Sequence, residues 1–240
     1  MKKLLLFMAV TLVYTLPLSA QWGWGSGVKG KGPMVERKLE LASFDAIKVT
    51  NSADVYIKQG NTQEVVVKAQ ENLIDLINTE VNNKQWKIKF DKNVNSQKGI
   101  EVYITIPYLT GVAVSGSGDV YGKGEFDNLD DLYIGVSGSG NINLAFEAKA
   151  VSAKVSGSGD LKLKGSASSF EAAISGSGDI SAMDLKTPEA SIRVSGSGDC
   201  SIHAVDDLDV RISGSGDVDY AGRPRVKSRI SGSGDLESKS

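Results

Sequence analysis

Apolar and polar residues alternate with a period of two along most of the chain, and one recurring pentapeptide, Ser-Gly-Ser-Gly-Asp, punctuates the alternation. Successive side chains on a strand point to opposite faces, so residues two apart share a face. The residues flanking the pentapeptides are Val114/Val120, Val136/Ile142, Val155/Leu161, Ile174/Ile180, Val194/Cys200, Ile212/Val218 and Ile230/Leu236. Thirteen of these fourteen positions are aliphatic, and Cys200 is the other. The same parity runs outward through Leu132 and Ile134, Val151 and Ala153, Phe170 and Ala172, Ala190 and Ile192, and Leu208 and Val210. It continues after the motif through Leu144, Leu163 and Ile202. Apolar-in, polar-out alternation of this kind predicts strands with one face in a core.

The pentapeptide begins at Ser115, Ser137, Ser156, Ser175, Ser195, Ser213 and Ser231, at intervals of 22, 19, 19, 20, 18 and 18 residues, and only the second copy departs, ending in Asn141. A period near twenty signals a solenoid in which each repeat is one turn that cannot bury its apolar face alone. The two glycines of each copy share parity with the flanking aliphatics. Without a Cβ they let the chain bend with positive φ or let backbones approach closely. We therefore read the motif as a repeated corner. Its structural residues are Gly116, Gly118 and Asp119; Gly157, Gly159 and Asp160; Gly176, Gly178 and Asp179; Gly196, Gly198 and Asp199; and Gly214, Gly216 and Asp217. Corners stacked at the inter-strand spacing of about 4.8 Å make a column roughly 30 Å tall.

Residues 1–20 carry Lys2 and Lys3, an apolar run from Leu4 to Leu16, a break at Pro17 and then Leu18-Ser19-Ala20. That layout predicts a secretory signal peptide cleaved after Ala20, with an apolar core too short for a spanning helix. Export fits the single cysteine, because a lone thiol leaves stability to stacking alone. Cys200 takes a position held elsewhere by Val, Ile or Leu, so it is read as a small buried hydrophobe. Residues 21–36 read as a flexible Gly-rich leader containing Trp22 and Trp24. Residues 37–110 read as an N-terminal β region with a first, degenerate rung, and residues 111–240 as a regular helix of seven rungs. The formal net charge of −2 over 240 residues shows no basic excess, which sets nucleic acid aside as a partner.

The degenerate rung runs from Phe44 to Ile57, where Asn51-Ser52-Ala53-Asp54 stands for the motif. Beyond it the period lapses. Glu64 to Lys68, Trp86 to Phe90 and Glu101 to Ile106 read as longer strands, Asn82 to Gln85 as a turn and Asn72 to Asn78 as a short helix. Together they predict a β-rich flap covering an otherwise open solenoid end.

Phe44-Asp45-Ala46-Ile47, Asp54-Val55-Tyr56-Ile57-Lys58-Gln59-Gly60, Thr79-Glu80-Val81, Tyr103-Ile104-Thr105-Ile106-Pro107 and the pentapeptide series resemble the head GIN domain of autotransporter adhesins. The resemblance implies an all-β fold, a right-handed parallel β-helix with rungs of about 18 to 22 residues. It also implies an exported protein of Bacteroidetes-type bacteria with an adhesive role. It supplies no catalytic residues.

Candidate chemistry is sparse. Stacked carboxylates 4.8 Å apart repel by about 1 kcal/mol in water and about 3.5 kcal/mol at an effective dielectric of 20. Either each carboxylate caps its own corner as in an Asx-turn, or the column holds calcium, as in the nonapeptide repeats it resembles. We expect the first, and no cofactor or metal. A second outward column, Arg193, Arg211 and Arg229, could grip the anionic groups of a glycan, against a solvated surface paired with Glu171 and Asp209. Catalysis needs an asymmetric cluster of acid, base and charge stabiliser, whereas these acids repeat rung by rung and the only histidine, His203, points outward. The expectation is a non-enzymatic periplasmic or cell-surface scaffold binding an extracellular glycan or surface protein. A polysaccharide-cleaving β-helix enzyme is the alternative.

Overall fold

The computed structural model describes residues 27–239. The expected signal peptide, Trp22 and Trp24 lie outside the described residues. The chain forms a β-solenoid of about seven turns. Five long strands, Val120–Val136, Ile142–Val155, Leu161–Ile174, Ile180–Val194 and Cys200–Ile212, each run from one corner to the next. They stack in parallel register, each on the one before. Val218–Ala221 and Arg225–Ile230 make the next turn, and Leu236–Ser238 lies on Val218–Ala221.

The register reproduces the motif intervals. Val120 pairs with Ile142, Ile142 with Leu161, Leu161 with Ile180, Ile180 with Cys200 and Cys200 with Val218. Rungs of different length stay aligned because their extra residues are absorbed in the arm after the corner, at shifts within 121–129, 162–164 and 182–189. The arm before the next corner is unbroken, as where Ala190 to Val194 lie on Leu208 to Ile212.

Parity places the core correctly. Of the motif-flanking residues, all from Val114 to Val218 are at most 2% exposed. Phe126, Phe146 and Phe170 fill the interior beside them. Complete burial of one such side chain is worth about 1.5–3 kcal/mol, so the ladder of inward aliphatics is the main cohesive term. The last pair departs from expectation: Ile230 is 42% exposed and Leu236 half-buried. Their parity is inward, but among the described residues no further rung lies on them.

The motif glycines serve close approach and not a reversed bend, since none has positive φ. A Cβ on Gly178 would lie 2.2 Å from the carbonyl oxygen of Gly159 on the rung before. A bend with positive φ does occur in the opposite arm, at Gly165 (φ 109°).

The N-terminal region differs from the expected flap. Ala46–Val49 and Asp54–Gln59 form the degenerate rung directly beneath the first regular corner, pairing with Gly111–Val114 and with Val120 to Gly122. On its other side lie Gln85–Ile88 and Glu101–Ile106, also parallel. Residues 85–106 are thus a further rung, threaded after the degenerate one in sequence but placed before it in space. True cover comes from Glu64–Gln70, antiparallel to Glu101–Ile106, and from Met34–Lys38, antiparallel to Glu64–Gln70. The end of the expected flexible leader is therefore held in the sheet. The Gly-rich composition misled because the backbone of Lys29 to Pro33 is tied to one helix start. Lys31 N–H donates to Asn72 Oδ1 (2.6 Å), Asn72 Nδ2 to Lys29 O (2.9 Å) and Glu71 N–H to Pro33 O (3.2 Å). The short helix itself is Glu71–Ile74, ending earlier than the sequence suggests. The turn is present, with Asn83 and Lys84 at φ 50° and 59° in a two-residue hairpin.

Candidate functional site

Two surface features run the length of the solenoid. The first is the acid column. Register extends it backward, because Asp54 lies under Asp119 and Glu101 under Asp54. The Asx-turn expected within each corner is not what the regular copies make. Each side chain instead accepts the main-chain N–H of the acid one rung on. Asn141 N–H donates to Asp119 Oδ1 (2.7 Å), Asp160 to Asn141 (2.9 Å), Asp179 to Asp160 (2.8 Å) and Asp199 to Asp179 (2.8 Å). Asp217 and Asp235 continue the ladder at 2.7 and 2.8 Å. Geometry favours this partner because the stacked corners bring that N–H within reach of the Oδ1 below. Only the degenerate corner keeps a local bond, from Ala53 N–H to Asn51 Oδ1 (3.0 Å). Among the described residues no group of three or more acids, histidines or cysteines is arranged to hold a metal ion.

Beside this column the first rungs carry a tyrosine stack that the sequence reading missed. Tyr56 lies between Tyr103 and Tyr121, with ring centroids 5.1 and 5.5 Å away and planes tilted by 20°. Lys123 Nζ sits 4.7 Å from the Tyr56 ring centre. The signal was a triplet of acid, valine and tyrosine, repeated as Asp54-Val55-Tyr56, Glu101-Val102-Tyr103 and Asp119-Val120-Tyr121. In two of the three the hydroxyl donates to the acid two residues back, Tyr121 to Asp119 Oδ2 (2.9 Å) and Tyr103 to Glu101 Oε2. Bonding to the carboxylate holds both phenols protonated and pushes each up to about 12, with burial and the nearby negative charge adding to it. The Tyr103 hydroxyl and the Lys68 ammonium together hold Glu101 below its usual range, against a partial desolvation. Burial raises Asp54, although the neighbouring Asp119 N–H pulls it the other way.

The second feature is a groove of about 1180 Å³ along the middle of the rungs. Three columns line it. The floor is Leu132, Val151, Phe170, Ala190 and Leu208, and the walls are the residues on either side, from Asp131 and Tyr133 to Arg225 and Lys227. Six stacked rungs at about 4.8 Å give it a length of roughly 24 Å. Tyr108 and Tyr133 stand at its first-rung end, and Tyr133 is 46% exposed.

Six carboxylates and three cations line the groove. Pairs between neighbouring rungs neutralise most of them: Arg193 with Glu171, Arg225 with Asp207 (2.7 Å) and Lys227 with Asp209 (3.9 Å). Asp130 bonds Lys149 (2.6 Å), whose ammonium, with the Tyr108 hydroxyl, lowers its carboxyl below the ordinary range. Asp131 and Glu189 stand outside these pairs.

Of the arginine column only Arg193 reaches the groove, and Arg211 and Arg229 lie outside its lining. Arg193 is engaged by Glu171 and Arg211 by Asp209 (3.4 Å), and Arg229 lies over Arg211 on the last rung. Two of the three expected anion-gripping side chains thus already have carboxylate partners, because an acid stands two residues back on the same face, Asp209 on the same strand as Arg211 and Glu171 on the rung before Arg193.

None of the curated proteins matches the chain. Solved structures do. A "putative adhesin" from Bacteroides fragilis superposes with a TM-score of 0.81 at 24% identity, over 89% of this chain and 100% of that one. A "putative adhesin" from Parabacteroides distasonis gives 0.72 at 29% identity, over 89% and 100%. A "putative lipid binding protein" from the same species gives 0.74 at 23% identity, over 89% and 99%. Residues 43–224 match the family model described as "putative auto-transporter adhesin, head GIN domain". That span holds both the degenerate rung and the groove's first five rungs, and the chain belongs to this head GIN domain family.

Proposed function

We propose that the protein is a non-enzymatic exported scaffold, periplasmic or at the cell surface, that holds an extended glycan or polypeptide along the groove. The groove itself carries this reading: a straight, rung-periodic channel suits a polymer that repeats its contacts, and family membership supplies the adhesive context. Four of its six acids are paired with a cation one rung away, and the other two, Asp131 and Glu189, stand three rungs apart on one wall, roughly 14 Å at the inter-strand spacing. Catalysis would require an acid and base set together around one bond, so cleavage of the bound polymer is the weaker reading. The relative described as lipid binding raises acyl chains as another ligand. Here the apolar floor residues Leu132, Val151, Phe170 and Leu208 are only 1–3% exposed, so the walls and not the floor meet a ligand. Polar walls suit a polymer with hydroxyl or amide edges.

The experiment is retention of the purified protein on a panel of immobilised polysaccharides and extended peptides, with release of reducing ends followed in parallel. Retention that is lost on Tyr133→Ala with Glu189→Lys, without chain cleavage, is expected. Release of reducing ends that the same changes abolish would instead make the groove an active site.

A further inference from the structure

We propose that the outer edge of the last rung, Arg225–Ile230, is a strand-addition site for an extended polypeptide whose alternate residues are acidic and apolar. This strand pairs on one side with residues 207–212, and among the described residues no strand lies on its other side. Its inward residues are Val226, Ser228 and Ile230; Val226 and Ile230 are 41% and 42% exposed, whereas Leu208 and Ile212, which they cover, are each 1% exposed. Apolar side chains and a row of main-chain donors and acceptors are thus presented together. That is the template on which β-augmentation works, the main chain giving affinity and alternate side chains giving specificity.

Charge selects the occupant. The outward residues of the strand are Arg225, Lys227 and Arg229, with Arg223 just before it. Within the solenoid, cations here meet acids at the same register on the neighbouring rung, Arg225 over Asp207 and Lys227 over Asp209. Arg229 lies over Arg211, a like charge. A second copy approaching by this same edge would set cations against cations, and like charges directly opposite one another destabilise a strand pair. A segment with acids at its first, third and fifth positions would pair with all three. Side-chain size does not bar it. The close approach that demands glycine lies over the pentapeptide, where a Cβ on Gly232 would lie 2.0 Å from the Gly214 carbonyl oxygen, and at Gly222 before the strand, where it would lie 2.0 Å from the Ala204 carbonyl oxygen. The column under Val226 holds Leu208, Ala190, Phe170, Val151 and Leu132, so six ordinary residues fit over Arg225–Ile230.

The test uses a capped, fluorescein-labelled peptide Asp-Leu-Asp-Val-Asp-Ile and its counterpart with three lysines in place of the aspartates. Anisotropy at low salt should show the acidic peptide binding at least tenfold more tightly. Arg225→Glu, Lys227→Glu and Arg229→Glu together, which replace exposed side chains and give up the surface pairs with Asp207 and Asp209, should reverse that preference. Hydrogen exchange should slow at amides within residues 225–230 when the acidic peptide is present. Equal binding of the two peptides, no binding of either, or a preference that survives the charge reversal would overturn the proposal. Sedimentation of the protein alone is the remaining arm: a dimer that Val226→Lys dissociates would give the edge to a second copy and also overturn it.

Discussion

A single added carbon separates the two kinds of glycine in this chain. On Gly178 a Cβ would meet the Gly159 carbonyl oxygen at 2.2 Å and carbon at 2.9 Å, and both belong to backbone fixed by the stack. On Gly111 a Cβ would meet Ala46 Cβ at 3.6 Å, an ordinary contact. Gly178→Val should therefore cost several kcal/mol through overpacking, while Gly111→Ala should be neutral or gain a few tenths from a stiffer unfolded chain. Thermal unfolding of the two variants checks this, and an unchanged midpoint for Gly178→Val would remove the close-approach account. Cys200 makes a second residue-scale test. It is 2% exposed, and desolvation, with Asp179 and Asp199 nearby, pushes its thiol up to about 12. Only the thiolate reacts, so native protein should resist alkylation and denatured protein should label at once. Rapid native labelling would mean that the inward register at this rung is wrong.

The regular elements were legible because their two periods, two along the strand and about twenty along the chain, are both written in side chains. Parity identified the inward residues from Val114 to Val218 without error, and the motif intervals reappear as the pairing register. Residues 85–106 were misread as part of a flap because they carry no pentapeptide. The loop from Lys89 to Ile100 replaces the corner, so the repeat survives only on either side of it, in Trp86 and Ile88 beside Ile47 and Val49 and in Val102 and Ile104 beside Val55 and Ile57. Nor does one-dimensional order reveal that a later segment lies before an earlier one in space. The groove escaped for a related reason, since its walls are outward positions and binary patterning says nothing about concavity. The tyrosine stack sets a pH expectation at this scale. Tyr103 and Tyr121 are each raised from an ordinary value of 10.0 to about 12. A group whose folded value is raised stabilises the fold fully below its unfolded value, and that contribution fades as pH climbs through the folded value. The melting temperature should therefore fall from pH 10 towards 12, and Tyr103→Phe with Tyr121→Phe should flatten the decline. A slope unaltered by the double change would place its origin elsewhere.

At the scale of the whole molecule, the acid column runs the full height of the stack, and whether it needs an ion decides between a passive rod and a calcium-stiffened one. Each Oδ1 from Asp119 to Asp217 already accepts a main-chain N–H from the next rung, at 2.7 to 2.9 Å. Asn141 does the same work without a charge, accepting from Asp160 at 2.9 Å. The ladder thus requires an acceptor oxygen and not a carboxylate. Asp179→Asn with Asp199→Asn should keep both bonds and remove two neighbouring charges. The melting temperature should then stay level or rise, since stacked charges at this spacing repel by about 1 kcal/mol in water. Chelator should leave both the melting temperature and the β-type circular dichroism unchanged. Were calcium bound, linkage would demand a stabilisation of RT ln(1 + [L]/Kd), about 2.7 kcal/mol at a hundredfold excess over Kd. For a chain of this size that is a rise of roughly 5 to 10 °C. Sodium chloride at matched ionic strength separates such binding from the screening that any column of like charges responds to. A rise of that size with calcium, absent with sodium and abolished in the double Asn variant, would overturn the ion-independent ladder and turn the rod into a metal-dependent adhesin.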